Sequence, residues 1–166
     1  MSIKLIVADD HEVVRSGLAC LLENSGIEIL DEASSGDQAV EKTLELHPDV
    51  VLMDIRMPTL DGLGALERIR SESPETRVVM LSTYDNPTYV ARSVALGATD
   101  YVLKGASREE LIGAITRAAA GETPSDSSVL RRVKVAMSKR REQGDDEVPL
   151  TNRELQVLRH VALGLS

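Results

Sequence analysis

Apolar positions along the first 120 residues follow two alternating rhythms. Residues 3–8 form a short, mostly apolar run that predicts a buried strand. Residues 11–24 then carry Val14, Leu18, Leu21 and Leu22 at helical spacing, and Gly26 supplies a stop signal. In 27–33, Ile27, Ile29 and Ala33 alternate with acidic residues, as on an edge strand with one wet face. The succession then repeats. Helices are predicted at 38–46 (ended by Pro48), 63–73 (closed by Pro74), 87–96 and 107–120, and strands at 49–53, 77–81 and 99–103. In the last helix Leu111, Ile115 and Ala119 share a face, and Ser107 with Glu110 fits a capping box. Five βα units in series predict an α/β fold, a five-stranded parallel sheet with helices on both faces. The flavodoxin-like, doubly wound order 2-1-3-4-5 satisfies right-handed crossovers and puts the polar second strand at an edge.

Beyond Gly121 the rhythm breaks. Residues 122–128 are polar, and 129–141 predict a short helix with Val129, Val133 and Met137 on one side and six basic side chains elsewhere. A charged loop follows at 143–147. Thr151 with Glu154 opens another helix, whose apolar face is Leu155, Leu158 and Val161 and whose terminator is Gly164. One helix cannot bury its face alone, so this segment is expected to be a domain cut short. The expected organisation is a domain at 1–121, a partly helical linker at 122–149 and a truncated module at 150–166.

Charge supports that division. Residues 1–121 hold 11 basic and 20 acidic side chains, whereas 122–166 hold 8 and 7. Phosphates repel the first domain, so it is a poor nucleic-acid binder. Phe and Trp are absent, so the core must be built from Leu, Val, Ile, Ala and Met. The single cysteine, Cys20, excludes an intrachain disulfide, fits a reducing compartment and is expected to be a small buried hydrophobe. With neither a membrane-length apolar run nor a signal peptide, the protein is expected to be soluble and cytoplasmic. His11, His47 and His160 show no ligand spacing and are assigned structural roles.

Ligands of open parallel sheets bind beyond the carboxyl ends of the strands, where strand order reverses. Asp9 and Asp10 follow the first strand, Asp54 the third, Ser82 the fourth and Lys104 the fifth. Each has an ordinary explanation alone: a strand-end Asp as helix cap, a lone Lys as solvated surface, a lone Ser as loop hydrogen-bonder. Convergence of all five on one edge is harder to explain in that way. Three clustered carboxylates need an offsetting charge, and a hard divalent cation such as Mg²⁺ supplies it. Asp10 and Asp54 are the best ligands, with Asp9 binding directly or through water and Arg56 offering its backbone carbonyl. An aspartate can attack phosphorus and form an acyl phosphate, whose transition-state charge Lys104, Ser82 and the cation would stabilise.

These residues resemble the receiver domain of two-component response regulators. The likeness covers residues 3–120: the pair Asp9-Asp10, the segment from Asp54 through Met57, Pro58 and Asp61 to Gly62, then Ser82, and the run from Gly97 to Lys104. It implies that Asp54 is the phosphoacceptor, that Asp9 and Asp10 hold Mg²⁺, that Lys104 pairs with the phosphoryl group, and that Ser82 and Tyr101 form the switch. It also implies a sensor histidine kinase, or a small phosphodonor, as the source. The positions of Arg56 and Tyr84 border the phosphoryl group in this family, and both residues are large, which predicts slow dephosphorylation. Gly105 follows Lys104 where many receivers have proline. A non-proline cis bond costs about 3 kcal/mol, so the geometry there is left open. Leu150 to Leu158, with Gly164, Leu165 and Ser166, resembles the opening of a LuxR-type helix-turn-helix domain of NarL/FixJ-type regulators. The recognition helix is absent, so this chain is expected not to bind DNA specifically, although a full-length parent would, with homodimerisation as a possible response. An aspartyl-phosphate phosphohydrolase is the competing class. It would need an acidic residue two positions after the nucleophile, where Arg56 stands.

Overall fold

The structure, a computed structural model, describes residues 2–83 and 86–140. The expected helix-turn-helix opening at 150–166 and the charged loop before it lie outside the described residues. Eleven elements are described: β1 (Ile3–Ala8), α1 (Glu12–Leu21), β2 (Ile27–Ala33), α2 (Gly36–Leu46), β3 (Val50–Asp54), α3 (Gly62–Glu72), β4 (Arg77–Ser82), α4 (Pro87–Ala95), β5 (Asp100–Leu103), α5 (Arg108–Ala119) and α6 (Val129–Arg140). The strands form one parallel sheet in the order β2-β1-β3-β4-β5. The flavodoxin-like prediction is borne out, with β2 at an edge.

Alternation along each strand divides the core in two, because successive side chains point to opposite faces. Ile6, Val51, Val78 and Tyr101 join one cluster with Val40 of α2, Leu66 of α3, Val90 of α4 and Leu130 of α6. Leu5, Leu52, Val79 and Val102 join the other with Leu18 of α1 and Ile115 of α5. In β2 the register shifts between Leu5 and Ile6, where Ile29 and then Asp31 are the partners. Leu30 is the extra residue. A one-residue insertion reverses the facing of the strand beyond it. Ile27 and Ile29 accordingly pack on the α1/α5 side, whereas Ala33 belongs to the other cluster.

Two local expectations are corrected. Cys20 is exposed, and Leu21 is also open to solvent. Helix α1 buries Leu18, its C-cap Leu22 is buried as well, and Cys20 lies two residues from each, about 200° around the axis at 100° per residue. The helix also stops at Leu21, with Asn24 and Gly26 at positive φ in the turn into β2. Ser107 accepts a hydrogen bond from the Glu110 backbone N–H at 3.2 Å, which is the N-cap half of the expected box.

The predicted helix at 129–141 is observed as α6, and it is docked on the sheet. It packs against α4 and β5. Leu130, outside the predicted stripe, is its most buried side chain, while Val129 and Val133 are partly buried against the same cluster. Just before the helix, the Ser128 hydroxyl donates to Asp100 Oδ1 at 2.6 Å in a buried contact. Among the described residues no helix is long and apolar enough to cross a membrane.

Candidate functional site: an acidic cavity at the strand ends

The β1 strand delivers Asp9, β3 ends on Asp54, β4 ends on Ser82, and Lys104 follows β5. The Lys104 backbone N–H donates to the Ser82 carbonyl at 2.8 Å, which ties the last two together. The loop after Asp54 is folded tightly back. Gly62 N–H donates to the Ile55 carbonyl at 2.7 Å, and a Cβ on Gly62 would lie 1.9 Å from the Asp54 carbonyl oxygen. Only glycine permits that approach.

A cavity of about 350 Å³ opens at this edge, lined by Asp10, His11, Asp54, Arg56, Ser82 and Lys104, together with Asn86 and Tyr89 of the α4 start. Asp9 is sealed from solvent, and Asp54 and Ser82 are buried. Lys104 Nζ lies 2.8 Å from Asp9 Oδ2 and 3.5 Å from Asp54 Oδ2. The contact with Lys104 is what offsets the charge of the buried Asp9 carboxylate. Burial, and then the charge of Asp9, push the Asp54 carboxyl up to about 6, against the pull of Lys104 and the Ile55 N–H. Burial pulls the Lys104 ammonium down, but the hydrogen bond to Asp9 and the charges of Asp54 and Asp9 outweigh it and the net direction is up.

Of the residues singled out in the sequence, Asp9, Asp10, Asp54, Arg56, Ser82 and Lys104 come together. Tyr84 lies outside the described residues. Tyr101 is elsewhere. It is 3% exposed and packs in the cluster that holds Val90 and Leu130, so it does not line the cavity. No described peptide bond is cis, so the Lys104–Gly105 bond is trans.

Two residues were missed. His11, assigned a structural role, places Nδ1 3.1 Å from both Asp9 Oδ1 and Asp10 Oδ1. Its adjacency to the acidic pair was the available signal. Tyr89 was hidden inside an ordinary helix pattern. Its hydroxyl accepts from the Arg56 guanidinium at 3.1 Å, and the guanidinium carbon sits 5.8 Å from its ring centroid.

The donor set suits a hard cation. Ligand atoms of Asp9, Asp10, His11 and Asp54 all lie within 4.8 Å of one another, and three of the four are carboxylates. A buried carboxylate beside a second one, with an ammonium 3.5 Å away, can react as a nucleophile in its ionised form.

This chain belongs to the response regulator receiver family, whose pattern matches residues 5–116. Its relatives carry that assignment further. It is 35% identical to the response regulator protein VraR of Staphylococcus aureus over its full length and 78% of that protein. A DNA-binding response regulator of the LuxR family from Staphylococcus aureus superposes with a TM-score of 0.67 at 33% identity, over 70% of this chain and 98% of that one. A chain of the CheX-CheY-BeF3-Mg²⁺ complex from Borrelia burgdorferi matches with a TM-score of 0.65 at 26% identity, over 69% of this chain and 87% of that one. The chain is therefore a two-component signalling receiver whose relatives include LuxR-family regulators.

Proposed function

We propose that Asp54 accepts a phosphoryl group from a sensor histidine kinase or a small phosphodonor and that this switches a DNA-binding output. The observation that carries it is the Lys104 ammonium standing between two buried carboxylates, 2.8 Å from Asp9 and 3.5 Å from Asp54, on a cavity that Asp10 and Ser82 also line. Asp10 and Asp54 would hold Mg²⁺, with Asp9 acting directly or through water and the Arg56 backbone carbonyl as a further donor. When bound, the cation offsets the acidic cluster and neutralises charge on the phosphoryl oxygens. The ionised Asp54 carboxylate attacks phosphorus, the donor's phosphoramidate or anhydride bond breaks, and an acyl phosphate forms. Lys104 pairs with the phosphoryl oxygens, and the Ser82 hydroxyl donates to one of them.

Ser82 and Lys104 are joined through the backbone to β4 and β5, so their recruitment pulls on the strand that carries Tyr101. Tyr101, β5, α4 and α5 then relay the change as a population shift between two receiver conformations. The resemblance of residues 150–166 to the opening of a LuxR-type helix-turn-helix supports transcription control as the output, with phosphorylation-dependent homodimerisation as part of the response. The protein modifies itself and turns over no external substrate.

Incubation with acetyl phosphate and Mg²⁺, followed by intact mass, tests this directly. Wild type should gain one metal-dependent phosphoryl adduct and Asp54→Asn none. An adduct that persists in Asp54→Asn, or forms equally without metal, would overturn the assignment.

A further inference from the structure

Tyr89 lies on the first turn of α4, and Arg56 lies on the loop after β3. They meet across the cavity that holds Asp54, and both line it. Arg56 is exposed at the solvent rim, whereas the Tyr89 ring is partly buried and packs against the apolar cluster. The Tyr89 backbone carbonyl also accepts from Ser93 Oγ at 2.7 Å, one turn along α4. The tyrosine is thus a packed post against which the exposed arginine rests. Two contacts join them: the hydrogen bond at 3.1 Å and the guanidinium lying 5.8 Å from the ring centroid. A planar guanidinium can make both at once.

We infer that Tyr89 is a positioning residue for phosphoryl lifetime: it holds Arg56 across the mouth of the cavity and restricts the water that would hydrolyse phospho-Asp54. This role rests on Asp54 being the phosphoacceptor. In the step concerned, water attacks phosphorus, the bond between phosphorus and the aspartyl oxygen breaks, and inorganic phosphate leaves an ionised carboxylate behind. Restricting approach to the in-line position slows that attack without touching the reacting atoms. The same contact joins the phosphorylation loop to α4, so the lifetime depends on where α4 sits.

The test uses the whole chain, labelled with acetyl phosphate and Mg²⁺ and then freed of donor, with the adduct followed by intact mass. Tyr89→Phe keeps the packed ring and removes the hydroxyl. It should shorten the lifetime about threefold, the size of one net hydrogen bond of about 0.65 kcal/mol, with an unchanged melting temperature. Arg56→Ala should shorten it at least as much, and the double variant should decay no faster than Arg56→Ala alone. An unchanged or longer lifetime in Tyr89→Phe, or effects that multiply in the double variant, would overturn the inference. Absence of any adduct on wild type would instead bring down the phosphoacceptor assignment beneath it.

Discussion

Two buried carboxylates, Asp54 and Asp100, lie on strands of one sheet and serve opposite ends. Burial raises the pKa of both, and in each case it is the largest influence. Their partners differ. Asp100 Oδ1 accepts the Ser128 hydroxyl at 2.6 Å and the Tyr101 backbone N–H at 2.8 Å, so it is held by neutral donors at the β5–α6 contact. Asp54 faces a like charge, Asp9, and has an ammonium at 3.5 Å. Burial alone therefore does not mark a reactive group. What marks it is a partner set that leaves charge to be completed from outside.

The largest expected effect concerns the Asp100 side. If α6 is part of the receiver's packing, Leu130→Ala should cost about 3 kcal/mol, as for other fully buried leucines, measured by urea unfolding. A cost near zero would return α6 to the status of a free linker.

Next is the pH dependence of Asp54. Its folded pKa of about 6 lies above the ordinary 3.8. Below pH 4 the group is protonated in both states and its contribution is fully present. Between pH 4 and 6 the folded state holds the proton while the unfolded state releases it, so stability falls. In metal-free buffer wild type should lose about 3 kcal/mol relative to Asp54→Asn across that window and no more above it. Parallel stability profiles for the two proteins would show that the carboxylate is not strained by its surroundings.

A smaller effect is expected from the cation. Mg²⁺ at about ten times its dissociation constant should raise wild-type stability by about 1.4 kcal/mol, by mass action on the folded state. Asp10→Asn should remove most of that gain in thermal melts. Smallest is Ser128→Ala, which takes one donor from Asp100 and should cost about 1 kcal/mol. It should leave acetyl-phosphate labelling of Asp54 intact. A variant that lost labelling would show that the two carboxylates are coupled more tightly than their separate partner sets imply.

Much of the site was legible because strand ends are set by the same alternation that sets the strands. Asp9, Asp54, Ser82 and Lys104 could be placed at one edge once five βα units and their order were read. His11 and Tyr89 could not. The first depends on how the ring turns back onto two carboxylates at the mouth of α1, and the second on a contact 33 residues away between a loop and a helix. Cys20 is exposed despite its apolar sequence neighbours because a helix turns the second neighbour to the opposite side.

Periodicity and turn residues, which act over a few positions, determined the element order, the parallel sheet, the edge position of β2 and the row of polar residues at the strand ends. Tertiary structure alone decided the exchange of faces at Leu30, the docking of α6 over β5, the burial of Tyr101 away from the cavity and the pairing of Arg56 with Tyr89. The division has a physical cause. Local pattern fixes which way a side chain leaves the backbone, but its neighbours depend on chain segments far along the sequence, and those meet only when the whole core closes.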